Sequence, residues 1–314
     1  MTCRKCKEKP VIKLTNSHIT LCKKCFISYF ERKVRKTIRK YGLIEKGETI
    51  AVALSGGKDS LTTLHVINEL AKEQRTTKVI ALAIDEGIKG YRDNTLKFAK
   101  KYCKENKIKL YIYSYKDYFG DSLDKIVKKT KTLPCSICGV FRRYLLNMKA
   151  KELKVDKLAT GHNLDDEAQT VLMNQFRNNL AVSARLGPIT GVVDHPEFIK
   201  RVKPLYFLTE KEIMTYAFLK GLVTDFKECP YAKGNYRFSV RSWLNDFEEM
   251  YPGSRHGIIN SFIEILPVLK KHFKNDKSIN LCCVCGEPCS QEKCQACVYV
   301  ESLKNGKSLQ RKRK

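Results

Sequence analysis

A glycine turn between an apolar strand pattern and a helical pattern is the feature that most restricts the fold of this chain. Residues 49–54 form an apolar, β-rich run, and Leu61, Leu64 and Ile67 follow the turn at helical spacing. The turn itself consists of Ser55, Gly56, Gly57, Lys58, Asp59 and Ser60. Two glycines let the backbone approach an anion closely, and the N–H groups at a helix N-terminus favour phosphate. An ordinary βα turn is the alternative, but the Lys, Asp and Ser that directly follow the two glycines favour a phosphate-binding turn.

Strand patterns alternate with helical patterns from residue 49 to about residue 226. We predict further strands at residues 79–84, 109–113 and 157–160. This alternation is typical of an α/β fold built on a doubly wound parallel sheet. Because ligands of such sheets bind at the carboxyl ends of the strands, we expect the glycine turn to share a site with the polar segments that follow the other strands.

The charge of the chain points to a polyanionic partner. Lys and Arg total 60 against 33 Asp and Glu, a net charge of +27. A generally lysine-rich composition is the alternative, but the basic residues are clustered. The clusters are Arg32, Lys33, Arg35, Lys36, Arg39 and Lys40, then Arg142 and Arg143, and residues 311–314. We therefore predict that the protein binds nucleic acid.

Sequence patterns that would direct the chain to a membrane or out of the cell are not found. No run of 18 or more apolar residues occurs, and the first residues lack the apolar segment of a signal peptide. We expect a cytoplasmic protein with no membrane partner. In that compartment the chain's 14 cysteines should stay reduced, so their spacing is more informative about metals than about disulfides.

Paired Cys-x-x-Cys motifs occur near both ends of the chain. The first set is Cys3, Cys6, Cys22 and Cys25, and the second is Cys282, Cys285, Cys294 and Cys297. Two such pairs supply the four thiolates of a tetrahedral Zn²⁺ site. Each segment is too short for a core of its own, so the metal would supply its folding energy. Cys283 or Cys289 could replace a ligand of the second set, and Cys103 reads as a buried thiol.

A third group of cysteines has a different spacing. Cys135 and Cys138 follow a proline, and Cys229 lies far along the chain in the segment Glu-Cys-Pro-Tyr. Three thiolates leave one iron of a 4Fe–4S cluster open to another ligand. A redox disulfide between Cys135 and Cys138, or a zinc site that lacks one ligand, fits the spacing equally well.

Several motifs together resemble one family. The turn is similar to the PP-loop of the ATP pyrophosphatases, SGGxDS, rather than to a Walker A motif. Four motifs follow it: PCSICGVFRR at residues 134–143, ATGHNLDDE at 159–167, KPL at 203–205 and ECPYA at 228–232. In this order, and between two cysteine knuckles, they resemble the tRNA 2-thiouridine synthetases, which include the TtuA-type enzymes and the wobble-uridine thiolation proteins. The resemblance runs from Cys3 to Cys297.

The resemblance implies an ATP-dependent sulfurtransferase that adenylates O2 of a tRNA uridine and then exchanges it for sulfur. It implies that Cys135, Cys138 and Cys229 hold a 4Fe–4S cluster whose fourth iron binds sulfide. It also implies that residues 55–60 bind ATP with Mg²⁺. The other implied nucleotide residues are Ala53 and Ile84 near adenine and ribose, Gly161 and Arg142 closing the pocket, and the catalytic Asp166. For Asp165 a role as partner of the helix dipole is equally consistent.

Details of two segments favour the wobble-uridine branch of the family. Phe141-Arg142-Arg143 and residues 169–174 are more similar to that branch, whereas Pro134-Cys135-Ser136 is closer to the TtuA type. We therefore predict thiolation of the wobble uridine. Arginine keeps its charge but is a poor proton donor, so Arg142 is assigned to phosphate or carbonyl stabilisation.

Three alternatives stay open at this point: the same chemistry at the T-loop uridine, a cluster-free persulfide mechanism, or a non-catalytic zinc-knuckle RNA-binding protein. The sulfur donor could be sulfide, a desulfurase persulfide or a thiocarboxylated ubiquitin-like carrier, and the family implies a homodimer. We divide the chain into an N-terminal zinc knuckle (1–30), a basic linker helix (31–48), the PP-loop catalytic domain (49–230), a helical extension (231–275), a C-terminal zinc knuckle (276–300) and a basic tail (301–314).

Overall fold

The computed structural model describes residues 2–130, 132–192, 195–222, 228–232, 234–274 and 279–304. The strands found there are β1 (Ile12–Lys13), β2 (Thr20–Leu21), β3 (Thr49–Ala53), β4 (Lys78–Asp85), β5 (Lys109–Ser114), β6 (Lys157–Ala159), β7 (Lys200–Val202), β8 (Asn280–Leu281) and β9 (Pro288–Cys289). Five of these strands form a sheet in the order β5-β4-β3-β6-β7, and every neighbouring pair in it is parallel. The pairs β1–β2 and β8–β9 are small antiparallel ribbons near the two ends of the chain.

Helices cover the sheet and extend beyond it. In the same part of the chain they are α1 (Lys23–Tyr41), α2 (Lys58–Gln74), α3 (Arg92–Glu105), α4 (Tyr115–Phe119), α5 (Leu123–Lys128), α6 (Pro134–Glu152), α7 (Leu164–Phe176), α8 (Leu180–Ser183), α9 (Glu210–Leu219), α10 (Tyr236–Met250), α11 (Ser254–His272) and α12 (Gln295–Lys304). None of the helices described is both long enough and apolar enough to cross a membrane. The predicted basic cluster at residues 311–314 lies outside the described residues.

The strand order places a crevice at the carboxyl end of β3. The chain runs from β3 outward to β4 and β5, and then returns to add β6 on the other side of β3. The chain connections that follow the strands therefore lead away from β3 in opposite directions. They leave an opening at the carboxyl ends of the strands, which is where parallel sheets bind ligands. The predicted α/β fold with a doubly wound parallel sheet is confirmed, and the glycine turn follows directly after the strand at this switch point.

The two cysteine knuckles belong to cores on opposite faces of the sheet. Side chains of a strand alternate between faces, so Ile50 and Val52 join one core while Ala51 joins the other. The N-terminal knuckle and α1 contribute to the first core, where the ring of Phe30 stacks on Tyr216 of α9 at 3.9 Å between centroids. The C-terminal knuckle and α12 contribute to the second core, which also contains α6.

Candidate nucleotide and metal sites

The glycine turn is organised around one hydroxyl group. The main-chain N–H groups of Ser55 and Gly56 donate to Ser60 Oγ at 3.1 and 3.2 Å, and this hydroxyl donates in turn to the carbonyl of Gly57 at 2.9 Å. Gly57 is the N-cap of α2, and no side chain caps the helix there. The N–H groups at the start of α2 therefore remain available for an anion, as a phosphate site requires.

Gly56 has a conformation and a neighbourhood that only glycine tolerates. Its φ is +84°, in the left-handed region, and a Cβ atom built on it would lie 2.1 Å from the main-chain oxygen of Thr95. Because that neighbour is backbone, it cannot rotate away. The turn is thus held against the N-terminal part of α3, and its shape depends on this glycine.

We expect Gly56→Ala to destabilise the protein by at least about 2 kcal/mol, because it combines a left-handed backbone with a clash against main chain. Thermal or urea unfolding would measure the loss. Gly257→Ala is the matched control, since Gly257 lies in α11 with nothing within 4 Å of the added Cβ. That change should be neutral or stabilising. Equal unfolding midpoints for the two variants would contradict the strain assigned to Gly56.

Lys58 lies between two carboxylates at the mouth of the turn. Its Nζ is 3.0 Å from Asp59 Oδ2 and 2.9 Å from Glu210 Oε1, and Asn163 Nδ2 donates to the other oxygen of Asp59 at 3.2 Å. Burial lowers the pKa of Lys58, but Asp59 and Glu210 outweigh this and raise it above its ordinary value. Lys58 therefore keeps its positive charge, and it can pair with a phosphate in place of one of these carboxylates.

The two aspartates at the start of α7 have different surroundings. Asp165 accepts from the main-chain N–H of Glu210 at 2.8 Å and pairs with Arg255, so its carboxylate is occupied by structural contacts. Asp166 belongs to a capping box with Asn163. Burial raises the pKa of the Asp166 carboxyl, and the positive charges of Arg237 and Lys58 offset part of this rise. The surroundings of Asp165 favour a structural role, and Asp166 is the carboxylate that shares its electrostatic environment with Lys58.

Gly161 and the predicted adenine-side residues surround the same crevice. A Cβ on Gly161 would lie 2.8 Å from the main-chain carbon of Asp59, so this glycine allows the loop after β6 to pack on the start of α2. Ala53 and Ile84 lie at the carboxyl ends of the adjacent strands β3 and β4. The structure thus brings these three residues together with the turn.

Arg142, whose own side chain is 46% exposed, is held by two buried charged residues that sequence reasoning missed. Its Nε is 2.9 Å from Glu86 Oε1, and Arg92 Nε is 2.9 Å from the other oxygen of Glu86. Arg92 also donates to the main-chain oxygens of Ser55 and Ile84, at the ends of β3 and β4. Glu86 and Arg92 are only 5% and 3% exposed. One indication of Glu86 and Arg92 is present in the sequence, because both lie in the polar segment that follows the predicted strand at residues 79–84.

Cys135, Cys138 and Cys229 converge beside this chain of charges. Arg142 Nη2 donates to Cys138 Sγ at 2.9 Å, and the Tyr115 hydroxyl lies 3.7 Å from the same sulfur. Burial raises the pKa of the Cys229 thiol, and the neighbouring Cys138 and Cys135 thiols raise it further. All three are free thiols, in α6 and the segment at 228–232. Three thiols with nearby hydrogen-bond donors fit an iron–sulfur cluster, in which each cysteine binds a different iron.

Each of the two terminal cysteine sets brings its four sulfurs close enough together to bind one metal ion. In each set the four sulfurs lie within 4.8 Å of one another. Cys6 Sγ is 3.4 Å from Cys22 Sγ and 3.6 Å from Cys25 Sγ, close to the roughly 3.8 Å separation that Zn–S bonds of about 2.3 Å impose on a tetrahedron. The second set consists of the four predicted ligands, whereas Cys283 and Cys289 lie outside it.

Together these features define a PP-loop nucleotide-binding domain with a cysteine site at its mouth and two four-cysteine knuckles. The sequence matches the PP-loop domain family over residues 27–228 and the N-terminal LIM domain of 2-thiouridine synthetase TtuA over residues 2–27. The chain belongs to the PP-loop family of tRNA 2-thiolation enzymes.

Individual relatives match almost the full chain. A tRNA-5-methyluridine(54) 2-sulfurtransferase of Pyrococcus horikoshii is 38% identical, over 95% of this chain and 93% of its own. The tRNA 2-thiolation protein NcsA of Haloferax volcanii is 36% identical, over 96% and 99%. A solved structure of the U34-tRNA thiolase NcsA from Methanococcus maripaludis, with its [4Fe-4S] cluster, is 36% identical and covers 100% of this chain and 99% of its own at a TM-score of 0.83. The predicted family membership is confirmed.

Proposed function

We propose that this protein uses ATP to replace O2 of a tRNA uridine with sulfur, and that the uridine is the wobble base of the anticodon. One observation carries the proposal. The chain Arg92–Glu86–Arg142, buried at Arg92 and Glu86 and exposed at Arg142, joins the main chain of the glycine turn to the sulfur of Cys138. A base activated at the turn and a sulfur held at the cysteines are therefore neighbours, which a two-step exchange requires.

The nucleotide binds in the crevice at the end of β3. The turn and the free N–H groups of α2 bind the pyrophosphate part of ATP, and Lys58 neutralises its charge. Asp59 and Asp166 are the carboxylates that would hold Mg²⁺, because burial and the charge of Asp166 raise the pKa of Asp59 and a divalent cation between the two would offset both effects. Ala53, Ile84 and Gly161 line the adenosine side.

The chemistry then proceeds in two steps. O2 of the uridine attacks the α-phosphate and pyrophosphate leaves, while Lys58 and the N–H groups of the turn stabilise the charge that develops on its oxygens. Sulfur then adds at C2, and AMP leaves with the former O2. Arg142 remains charged throughout and is assigned to stabilise the negative charge on the phosphate of the departing AMP. The exchange needs no net electron transfer.

Cys135, Cys138 and Cys229 hold the 4Fe–4S cluster, which supplies the sulfur when it is bound. Cys135 Sγ is 3.3 Å from the main-chain oxygen of Tyr231 and 3.7 Å from Asn235 Nδ2, so this thiol faces the segment that carries Cys229. The eight knuckle cysteines are gathered in their own two sets, so none of them is free to act as a fourth ligand here. The knuckles hold Zn²⁺ and stabilise the two faces of the sheet.

The solvent-facing side of α1 supports tRNA binding. Lys33 and Arg35, two of its clustered basic residues, pair with Glu212 and Glu73. The others point outward; they are Arg32, Lys36, Arg39 and Lys40. We call these four residues the basic ridge. Among the described residues no ion pair is found for any of them, so they are available for phosphate contacts.

We expect isolated anticodon stem-loops of the Lys, Glu and Gln tRNAs to be thiolated in vitro, and an isolated T-arm not to be. A wobble base lies in an open loop and can be unstacked at small cost, so the anticodon stem-loop alone should present it to the site. Nucleoside mass spectrometry after incubation with ATP and sulfide would measure the product. A stem-loop with cytidine at the wobble position is the control. Sulfur found only in the T-arm would overturn the choice of uridine.

A further inference from the structure

An exposed cluster of aromatic rings lies on the outer side of α10 and the end of α7. Tyr236, Trp243 and Phe176 are 37%, 49% and 60% exposed. The guanidinium of Arg177 lies over the ring of Tyr236 at 3.9 Å from its centroid, and the rings of Phe176 and Trp243 are 6.4 Å apart. Flat rings and a stacked guanidinium at the surface are the groups on which proteins stack unpaired bases.

The inner side of the same helix is attached to the proposed active site. Asn235, the N-cap of α10, contacts Cys135 Sγ through its Nδ2 at 3.7 Å. Arg237 donates to the main-chain oxygen of Asp166 at 3.3 Å and to Thr170 Oγ1 at 2.9 Å. Tyr236 lies between these two residues in sequence and points outward. The cluster therefore lies next to the proposed active site, on a helix whose first residues contact Cys135 and Asp166.

We propose that Tyr236, Arg177, Phe176 and Trp243 form a stacking surface for unpaired bases next to the uridine that is modified. The proposal rests on the proposed function, because it takes the RNA loop as the substrate. Arg177 follows α7 eleven residues after Asp166, about 16 Å along the helix axis at 1.5 Å per residue. That separation suits a neighbouring base of the loop rather than the reacting one.

Charge also favours RNA as the occupant. Arg177 and Arg185 are exposed at this end of α7 and α8, and the whole chain carries +27. Asp246 and Glu249 of α10 are exposed farther along the helix, beyond Trp243. Arg177 thus lies against Tyr236 at the start of α10, whereas the acidic residues lie beyond Trp243, so the phosphates of a bound loop are expected at the start of this helix.

Trp243 provides a direct probe, because it is the one tryptophan of the chain. We expect its fluorescence to be quenched when an anticodon stem-loop binds to the full-length protein. A blunt RNA duplex of the same length, without unpaired bases, should leave it nearly unchanged. Stem-loop binding seen by anisotropy with no change at Trp243 would overturn the stacking surface while leaving the proposed function intact. Failure of the stem-loop to bind at all would count against both.

Substitutions separate stacking from charge. Tyr236→Ala and Arg177→Lys should each weaken stem-loop binding about tenfold, which corresponds to about 1.4 kcal/mol. Because stacking releases few counterions and lysine keeps the charge, the slope of log Kd against log salt should not change. Arg32→Ala in the basic ridge should instead reduce that slope. Phe218→Ala, at a ring 72% exposed on α9, is the matched control and should bind as the wild type does.

Two results would contradict the proposal. Equal affinity of Tyr236→Ala and Phe218→Ala would show that the exposed rings of α10 are not contacted by RNA. A change from dimer to monomer in Trp243→Ala, measured by sedimentation without RNA, would assign the surface to contact between two copies of the chain instead.

Discussion

Replacing Cys229 with serine should abolish sulfur transfer to tRNA while ATP and tRNA still bind. Serine is a poor ligand for iron, so the variant purified without oxygen should contain little iron and labile sulfide. The turn and Lys58 are unchanged, so tRNA-dependent pyrophosphate release should persist. Iron analysis, visible absorbance and nucleoside mass spectrometry would measure these effects. We expect thiolation to fall by at least about 100-fold, as for removal of a group that acts in the transition state.

Cys283→Ser is the control for this experiment, because Cys283 is exposed and lies outside the four-cysteine group of the second knuckle. It should retain full activity and iron content. Thiolation by a Cys229→Ser protein without iron would exclude the cluster and favour a persulfide on Cys135 or Cys138. The same iron analysis on the unmodified protein tests the cluster independently of activity.

Lys58→Met should reduce AMP release and thiolation by at least about 100-fold, because it removes the cation that we propose neutralises the phosphates. Methionine keeps much of the side-chain length, so the loss reflects charge rather than a cavity. ATP binding by calorimetry and tRNA-dependent AMP release would be measured together. Weakened ATP binding with an unchanged rate at saturation would assign Lys58 to ground-state binding alone.

Lys72→Met is the matched control for Lys58→Met. Lys72 lies on the same helix, is exposed and pairs only at the surface, with Glu69 at 2.7 Å. Its loss should affect neither the rate nor the stability measurably. Since Lys58→Met leaves Asp59 and Glu210 less well compensated, unfolding curves of both variants would show whether the protein remains folded. A folded Lys58→Met protein with normal AMP release would contradict the role of this lysine.

Sequence patterns predicted the features of this protein that depend on residues close together in the chain. The turn at residues 55–60 is formed by contacts within six residues, with Ser60 accepting from Ser55 and Gly56. The spacing of the knuckle cysteines likewise anticipated the two groups of four sulfurs. Strands predicted at 79–84 and 109–113 agree with β4 and β5 to within two residues. The short edge strand β7 was not predicted, because three residues carry too little pattern.

Only the tertiary structure decided which charged groups meet. Spacing could not reveal that Glu86 joins Arg92 to Arg142, that Arg255 occupies Asp165, or that Arg237 binds beside Asp166. These contacts depend on the order of the strands and on the packing of α10 and α11 on α7. Local backbone geometry is set by neighbouring residues, and a sequence displays it directly. A buried ion pair is set by the packing of distant segments, and each member alone looks like an ordinary surface charge.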